Sequence, residues 1–122
     1  MATDNEKIIA DFCKTWLKMN IDEMLSYMTD DAVYHNIPMA PLNGKAAIRK
    51  GLEGFAGMLE AIEIKIVNSV SAGNLVMNER IDTMVARDGK KSDIPVVGVF
   101  ELRDGKICAW RDYFDMKMAG MG

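Results

Sequence analysis

Histidine and cysteine are nearly missing from this sequence. Its 122 residues hold one histidine, His35, and two cysteines, Cys13 and Cys108. Two scattered thiols cannot frame a disulfide scaffold or a metal knuckle, and a single imidazole leaves no zinc site of His and Cys ligands. The thiols read as buried groups of a cytoplasmic protein. Serine, cysteine and histidine also form no arrangement that points to a nucleophile. Basic blocks are missing too. Fifteen Lys and Arg against 18 Asp and Glu leave a net charge of -3, which argues against a nucleic-acid footprint. No apolar run approaches a membrane span. The start, Met1 to Glu6, lacks a basic n-region and an apolar h-region, so no signal peptide is expected.

Apolar residues are plentiful, at 49%, enough for one core in one domain over residues 1–122. Methionine stands out, with 11 copies. Met fills irregular cores and also suits adaptable binding walls, so ordinary core and a roomy apolar pocket both remain open.

Thr3 or Asp4 caps a first helix with an apolar stripe of Ile8, Ile9, Phe12, Trp16 and Leu17. Asn20 with Glu23 starts a short second helix with Met24, Leu25 and Met28 inside. Asp31 to Asn36 reads as a strand ended by Pro38 and Pro41. Asn43-Gly44 opens a third helix with Ile48, Leu52, Phe55, Met58 and Leu59 inside. Four alternating runs follow: Ala61 to Val70, Leu75 to Arg87, Ser92 to Arg103 and Lys106 to Met116. Helices gather early and strands late, so the chain is α+β with an antiparallel meander.

The last strand carries an anomaly. Cys108, Trp110, Asp112 and Phe114 share one of its faces, and Asp112 is costly there unless paired or protonated. Asp-Gly pairs at residues 88–89 and 104–105 are strong two-residue hairpin signals. Counting from them sets Val97 opposite Asp112, Arg80 opposite Val97 and Asp82 opposite Pro95. Arg80 and Asp112 then stand about 10 Å apart at the backbone, within reach of a long guanidinium. Pro95 lacks an N–H and would tolerate a bulge that shifts this count. Arg80 and Asp82 alone also fit a solvated ion pair on a sheet exterior. Asp112 on a face with Val97, Val99, Trp110 and Phe114 favours a pocket. Two carboxylates sharing one arginine in a dry site supply an acid and a base at neutral pH. His35 falls on the other side of its strand from Tyr34 and Asn36, as a half-exposed strand residue.

Taken in order, Tyr34 to Pro41, Glu79-Arg80-Ile81-Asp82, Gly98 to Leu102, Asp104 to Ile107 and Trp110 to Asp115 resemble limonene-1,2-epoxide hydrolases. The resemblance covers about Asp31 to Met116. It implies the cone-shaped fold of the nuclear transport factor 2-like (cystatin-like, SnoaL-like) superfamily: a curved, mixed but mainly antiparallel sheet around early helices, with an internal apolar pocket. It also implies one-step opening of an apolar epoxide to a vicinal diol without metal or cofactor. By position, Asp112 would be the general base, Tyr34 and Asn36 would hold the water, Asp82 would be the general acid, and Arg80 would bridge the carboxylates. Met28, Met84, Val97, Trp110 and Phe114 are candidate pocket walls, as are Met24 and Leu59, with Met84 preferred to Met77 because it shares the face of Arg80. A homodimer through the outer sheet face is implied, with Ile107, Ala109 and Tyr113 exposed on it. A pocket that only binds an apolar ligand, and an isomerase or cyclase with a lone Asp base, are the competing expectations.

Overall fold

The computed structural model describes residues 3–120. Helix α1 (Asp4–Lys14) begins at a capping box: the Thr3 hydroxyl accepts the Glu6 amide, and the Glu6 carboxylate accepts the Thr3 amide. Its buried stripe is Ile9, Phe12 and Cys13. A 3₁₀ turn (Thr15–Leu17) then buries Trp16 and leaves Leu17 59% exposed, because the tighter winding breaks the α-helical stripe. Asn20 caps the short α2 (Ile21–Ser26) through the Glu23 amide.

Strand β1 (Met28–Asn36) is followed by the two-residue β2 (Leu42–Asn43). Helix α3 (Lys45–Met58) starts from Gly44, at φ 88°. Strands β3 (Leu59–Ala72), β4 (Leu75–Ala86), β5 (Lys91–Arg103) and β6 (Lys106–Tyr113) complete one six-stranded sheet in the order β2-β1-β6-β5-β4-β3. The pairings are antiparallel except that of β1 with β6, which is parallel. The sheet is therefore mixed, and its curl over the helices buries a core that includes Phe12, Trp16, Ile48, Leu52, Phe100 and Trp110.

Two local features decide which side chains meet. At Asp104-Gly105 both residues have positive φ (53° and 76°) and Arg103 faces Lys106, the expected two-residue turn. A bulge then follows: Leu102 pairs with Ile107, but Glu101 pairs with Ala109, so Cys108 is the extra residue. The other hairpin closes on Ala86 and Lys90, whose backbones bond at 2.9 Å, with Gly89 at φ 88°. Its loop is thus the three residues Arg87, Asp88 and Gly89, not two.

Each feature moves the register by one residue. Asp112 faces Gly98 rather than Val97, Arg80 faces Val96, and Asp82 faces Ile94. The two slips cancel in parity, so Arg80, Asp82 and Asp112 still share the inner face. Val97 goes to the outer face and is 40% exposed. The bulge also turns Ile107 inward, where it is buried, against the expectation of an exposed position.

Candidate active site

The inner face of β4 brings Asn78, Arg80, Asp82 and Met84 into line, as alternate residues of one strand. Arg80 is 1% exposed and Asp112 4%. A guanidinium so far from water needs acceptors for all five of its N–H groups. Nε and Nη2 donate to the two oxygens of Asp82 at 3.1 and 2.9 Å. Nη1 and Nη2 donate to the two oxygens of Asp112 at 3.0 and 3.1 Å. The remaining Nη1 hydrogen points to Asn78 Oδ1 at 3.4 Å. Arg80 therefore holds one carboxylate on each of two edges, in the fork geometry that lysine lacks.

Asp112 has a further donor. The Trp110 indole N–H donates to Asp112 Oδ1 at 2.7 Å. Trp110 stacks on Tyr34 with centroids 3.7 Å apart and planes 11° apart. Phe12 and Trp16 meet its ring edge to face. Strand counting could not join Tyr34 and Asn36 to this site. The parallel pairing of β1 with β6 does, by aligning Tyr34 with Trp110 and Asn36 with Asp112. His35 aligns with Arg111 on the other face, and its Nε2 hydrogen-bonds the Met39 carbonyl.

Burial and neighbours set the protonation states. Burial works against the charge of Arg80, but Asp112 and Asp82 more than offset it, and its pKa stands well above the ordinary value. Asp82 is raised, by burial first and by the Asp112 charge besides, although Arg80 pulls the other way. Burial also raises Tyr34, which keeps its phenol protonated. The site thus pairs a carboxyl that holds its proton more readily than usual with a carboxylate held by three N–H donors. Among the described residues, no three His, Cys, Asp or Glu side chains gather as metal ligands.

The set forms the polar end of a cavity of about 560 Å³. Tyr34, Asn36, Arg80, Asp82 and Asp112 all line it, and so do the expected walls Met84, Trp110 and Phe114. Val97 does not, because the register slip turns it outward. Met28 does not either: it is 3% exposed and packs in the core at the start of β1. Met24 and Leu59 likewise lie outside the lining. The sequence reading missed the α3 wall of Gly51, Gly54, Phe55 and Met58, and the strand residues Ile62, Ile64, Ile94 and Val96. Their alternation was legible, but only the sheet's curl shows which alternate residues meet a cavity. Asn78 is signalled by alternation along β4, which puts it on the face of Arg80, whereas Gly98 is not, because the hairpin count sets Val97 and Val99 inward and Gly98 outward.

The curved mixed sheet closing over helices is an α+β fold like that of nuclear transport factor 2-like proteins, one of which, from Burkholderia pseudomallei, superposes with a TM-score of 0.85 at 12% identity, over 98% of this chain and 95% of the other. The chain belongs to the limonene-1,2-epoxide hydrolase family, whose catalytic-domain description matches residues 3–119. It is 32% identical over 100 residues to epoxide hydrolase EphG of Mycobacterium tuberculosis (strain ATCC 25618 / H37Rv). That alignment spans 80% of this chain and 64% of the relative, so the chain covers a little under two-thirds of that protein's length. The structure of an M. tuberculosis LEH-like epoxide hydrolase superposes with a TM-score of 0.82 at 28% identity, over 94% of this chain and 86% of the other. The epoxide hydrolase/cyclase-like enzyme SalBIII, of pyran ring formation in the polyether salinomycin, gives 0.84 at 19% identity, over 93% and 92%, a likeness of fold.

Proposed function

We propose that this protein hydrolyses a small or medium apolar epoxide to a vicinal diol in one step. Asp112 takes a proton from a water held by Tyr34 and Asn36 as the water oxygen attacks an epoxide carbon. The carbon–oxygen bond breaks, and the freed oxygen takes the proton of Asp82. Negative charge passes from Asp112 to Asp82, while Arg80, touching both, neutralises it in either place. Proton exchange with solvent restores the starting state. Neither metal nor cofactor enters this scheme.

The observation that carries this reading is the double bidentate clasp of Arg80 on Asp82 and Asp112 at the polar end of an apolar cavity. Burying an arginine with two carboxyl groups is a poor route to stability, since apolar residues of similar volume serve as well or better. A pocket that only binds an apolar ligand gains nothing from them, and a lone carboxylate base for carbon-bound protons needs no second carboxylate. The exposed outer-face residues Val70, Met77, Val97 and Tyr113 support a homodimer formed through that face.

The test is a panel of terpene and cycloalkene oxides assayed for diol. Asp112→Asn and Asp82→Asn should each lower turnover by about 10²–10⁴ with the fold intact. Full activity in either variant would sink the assignment. Single turnover in ¹⁸O-labelled water should place label in the diol and none in the protein; label in an Asp would mean a covalent route.

A further inference from the structure

We propose that Asn78 and Gly98 are positioning residues that seat the Arg80 guanidinium between its two carboxylates. The inference rests on the acid–base reading above and extends it to two residues outside the reacting set.

Asn78, Gly98 and Asp112 form one row across β4, β5 and β6, since Asn78 faces Gly98 and Gly98 faces Asp112. Arg80 stands one inward-facing position along, opposite Val96. Its side chain crosses back over Gly98 to reach Asp112. A Cβ on residue 98 would lie 2.3 Å from Arg80 Nη1, 2.9 Å from Asn78 Oδ1 and 3.0 Å from Asp112 Oδ1. The first distance is far inside van der Waals contact. The guanidinium therefore occupies the seat that any side chain at 98 would take. Glycine in the middle of a strand is otherwise a cost, because it has no side chain to pack and loses more backbone entropy. Gly98 carries no positive φ that would require it.

Asn78 supplies the other half of the seat. The two carboxylates take four of the five guanidinium hydrogens, and Asn78 Oδ1 takes the fifth at 3.4 Å. Asn78 is itself 2% exposed, and its Nδ2 faces the Cys13 sulfur at 4.0 Å. Burial pushes that thiol's pKa up to about 12, so Cys13 is a neutral neighbour. The amide thus ends the hydrogen-bond row on the side away from Asp82 without adding charge. With acceptors on every edge, the guanidinium can neither rotate in its plane nor slide toward one carboxylate as charge passes between them.

The experiment compares Asn78→Leu, Asn78→Asp and Gly98→Ala with the wild type on one epoxide, following kcat, KM and the pH profile, with melting curves to confirm folding. Asn78→Leu, similar in size but without an acceptor, should lower kcat by about tenfold with little change in KM. Gly98→Ala should lower kcat by roughly a hundredfold, since it displaces Nη1. Asn78→Asp keeps the acceptor and adds a negative charge beside Arg80. It should retain more turnover than Asn78→Leu and move the alkaline limb of the profile to higher pH. A residue that served the fold alone would leave kcat in place in folded Asn78→Leu and give Asn78→Asp no advantage over it. Wild-type kcat in folded Asn78→Leu would overturn the proposal, whatever the profile of Asn78→Asp and whether or not Gly98→Ala folds. Asp112→Asn, run alongside, separates the two failures: full activity there refutes the acid–base reading itself, and loss there with unaffected Asn78 variants refutes only the seat.

Discussion

Trp110 lies flat on Tyr34, 3.7 Å between ring centroids, while its indole N–H reaches Asp112 Oδ1 at 2.7 Å. One ring therefore fixes the orientation of a carboxylate and of a phenol on the neighbouring strand. Trp110→Phe keeps most of the stack and removes the donor. A hydrogen bond to a charged group is worth about 1.5–3 kcal/mol, so kcat should fall by roughly 10- to 100-fold where this bond orients Asp112 for the proposed proton transfer. Steady-state kinetics beside a melting curve checks this; an unchanged kcat in a folded variant would make Trp110 a wall residue only.

The raised pKa of Asp82 gives the rate a direction in pH. An acid must hold its proton, so turnover should fall as pH rises through the Asp82 value, which stands above the ordinary aspartate value. The same shift acts on stability. The folded state binds this proton more tightly than the unfolded chain, so the contribution is present in full below the unfolded pKa and is lost as pH rises through the folded one. Melting temperature against pH should show that decline in the wild type and a flatter course in Asp82→Asn.

Removing Arg80 leaves two buried carboxylates without their shared counter-charge. Arg80→Met should destabilise the protein by about 3–5 kcal/mol near neutral pH. The loss should shrink as pH falls, because protonation of Asp82, whose pKa stands above the ordinary value, relieves the repulsion. Denaturant midpoints at acidic and neutral pH test this, and an equal loss at both would count against a charge origin.

Gly54 lines the cavity from α3, and nothing lies within 4 Å of where its Cβ would be. Alanine there should stabilise the helix by about 1 kcal/mol and leave small epoxides as good substrates. Gly54→Leu should raise KM for bulky epoxides and spare small ones. A uniform effect on both sizes would show that this wall does not select.

Val97 faces Tyr113 on the outer side of the sheet and is 40% exposed. Placing a charge there should weaken self-association through that face. Sedimentation velocity should give a dimer for the wild type and a monomer for Val97→Lys. A wild-type monomer would remove the dimer from the proposal.

Much of this was legible in residues alone, and the reason is periodicity. Alternation along β4 aligns Arg80 with Asp82, and alternation along β6 aligns Trp110, Asp112 and Phe114. The Asp104-Gly105 turn sits where its dipeptide places it, because few residues other than Gly, Asn and Asp tolerate positive φ. Thr3 and Asn20 cap the helices they were expected to cap. Motif order pointed to the family.

The partner opposite each strand residue was not legible. A bulge at Cys108 and a three-residue loop at Arg87-Asp88-Gly89 each add one residue between paired positions, which alternation along a strand does not reveal. Each moved the register by one, so Val97 was misplaced and Gly98 overlooked, and only their cancelling parity kept Arg80 and Asp112 on one face. Met28 shows the same limit, being apolar and buried, yet in the core rather than the cavity. The parallel contact of β1 with β6 joins segments more than 70 residues apart, and it alone brings Tyr34 and Asn36 to Asp112. Local sequence determined which residues can face inward; the closing of the sheet decided which of them touch.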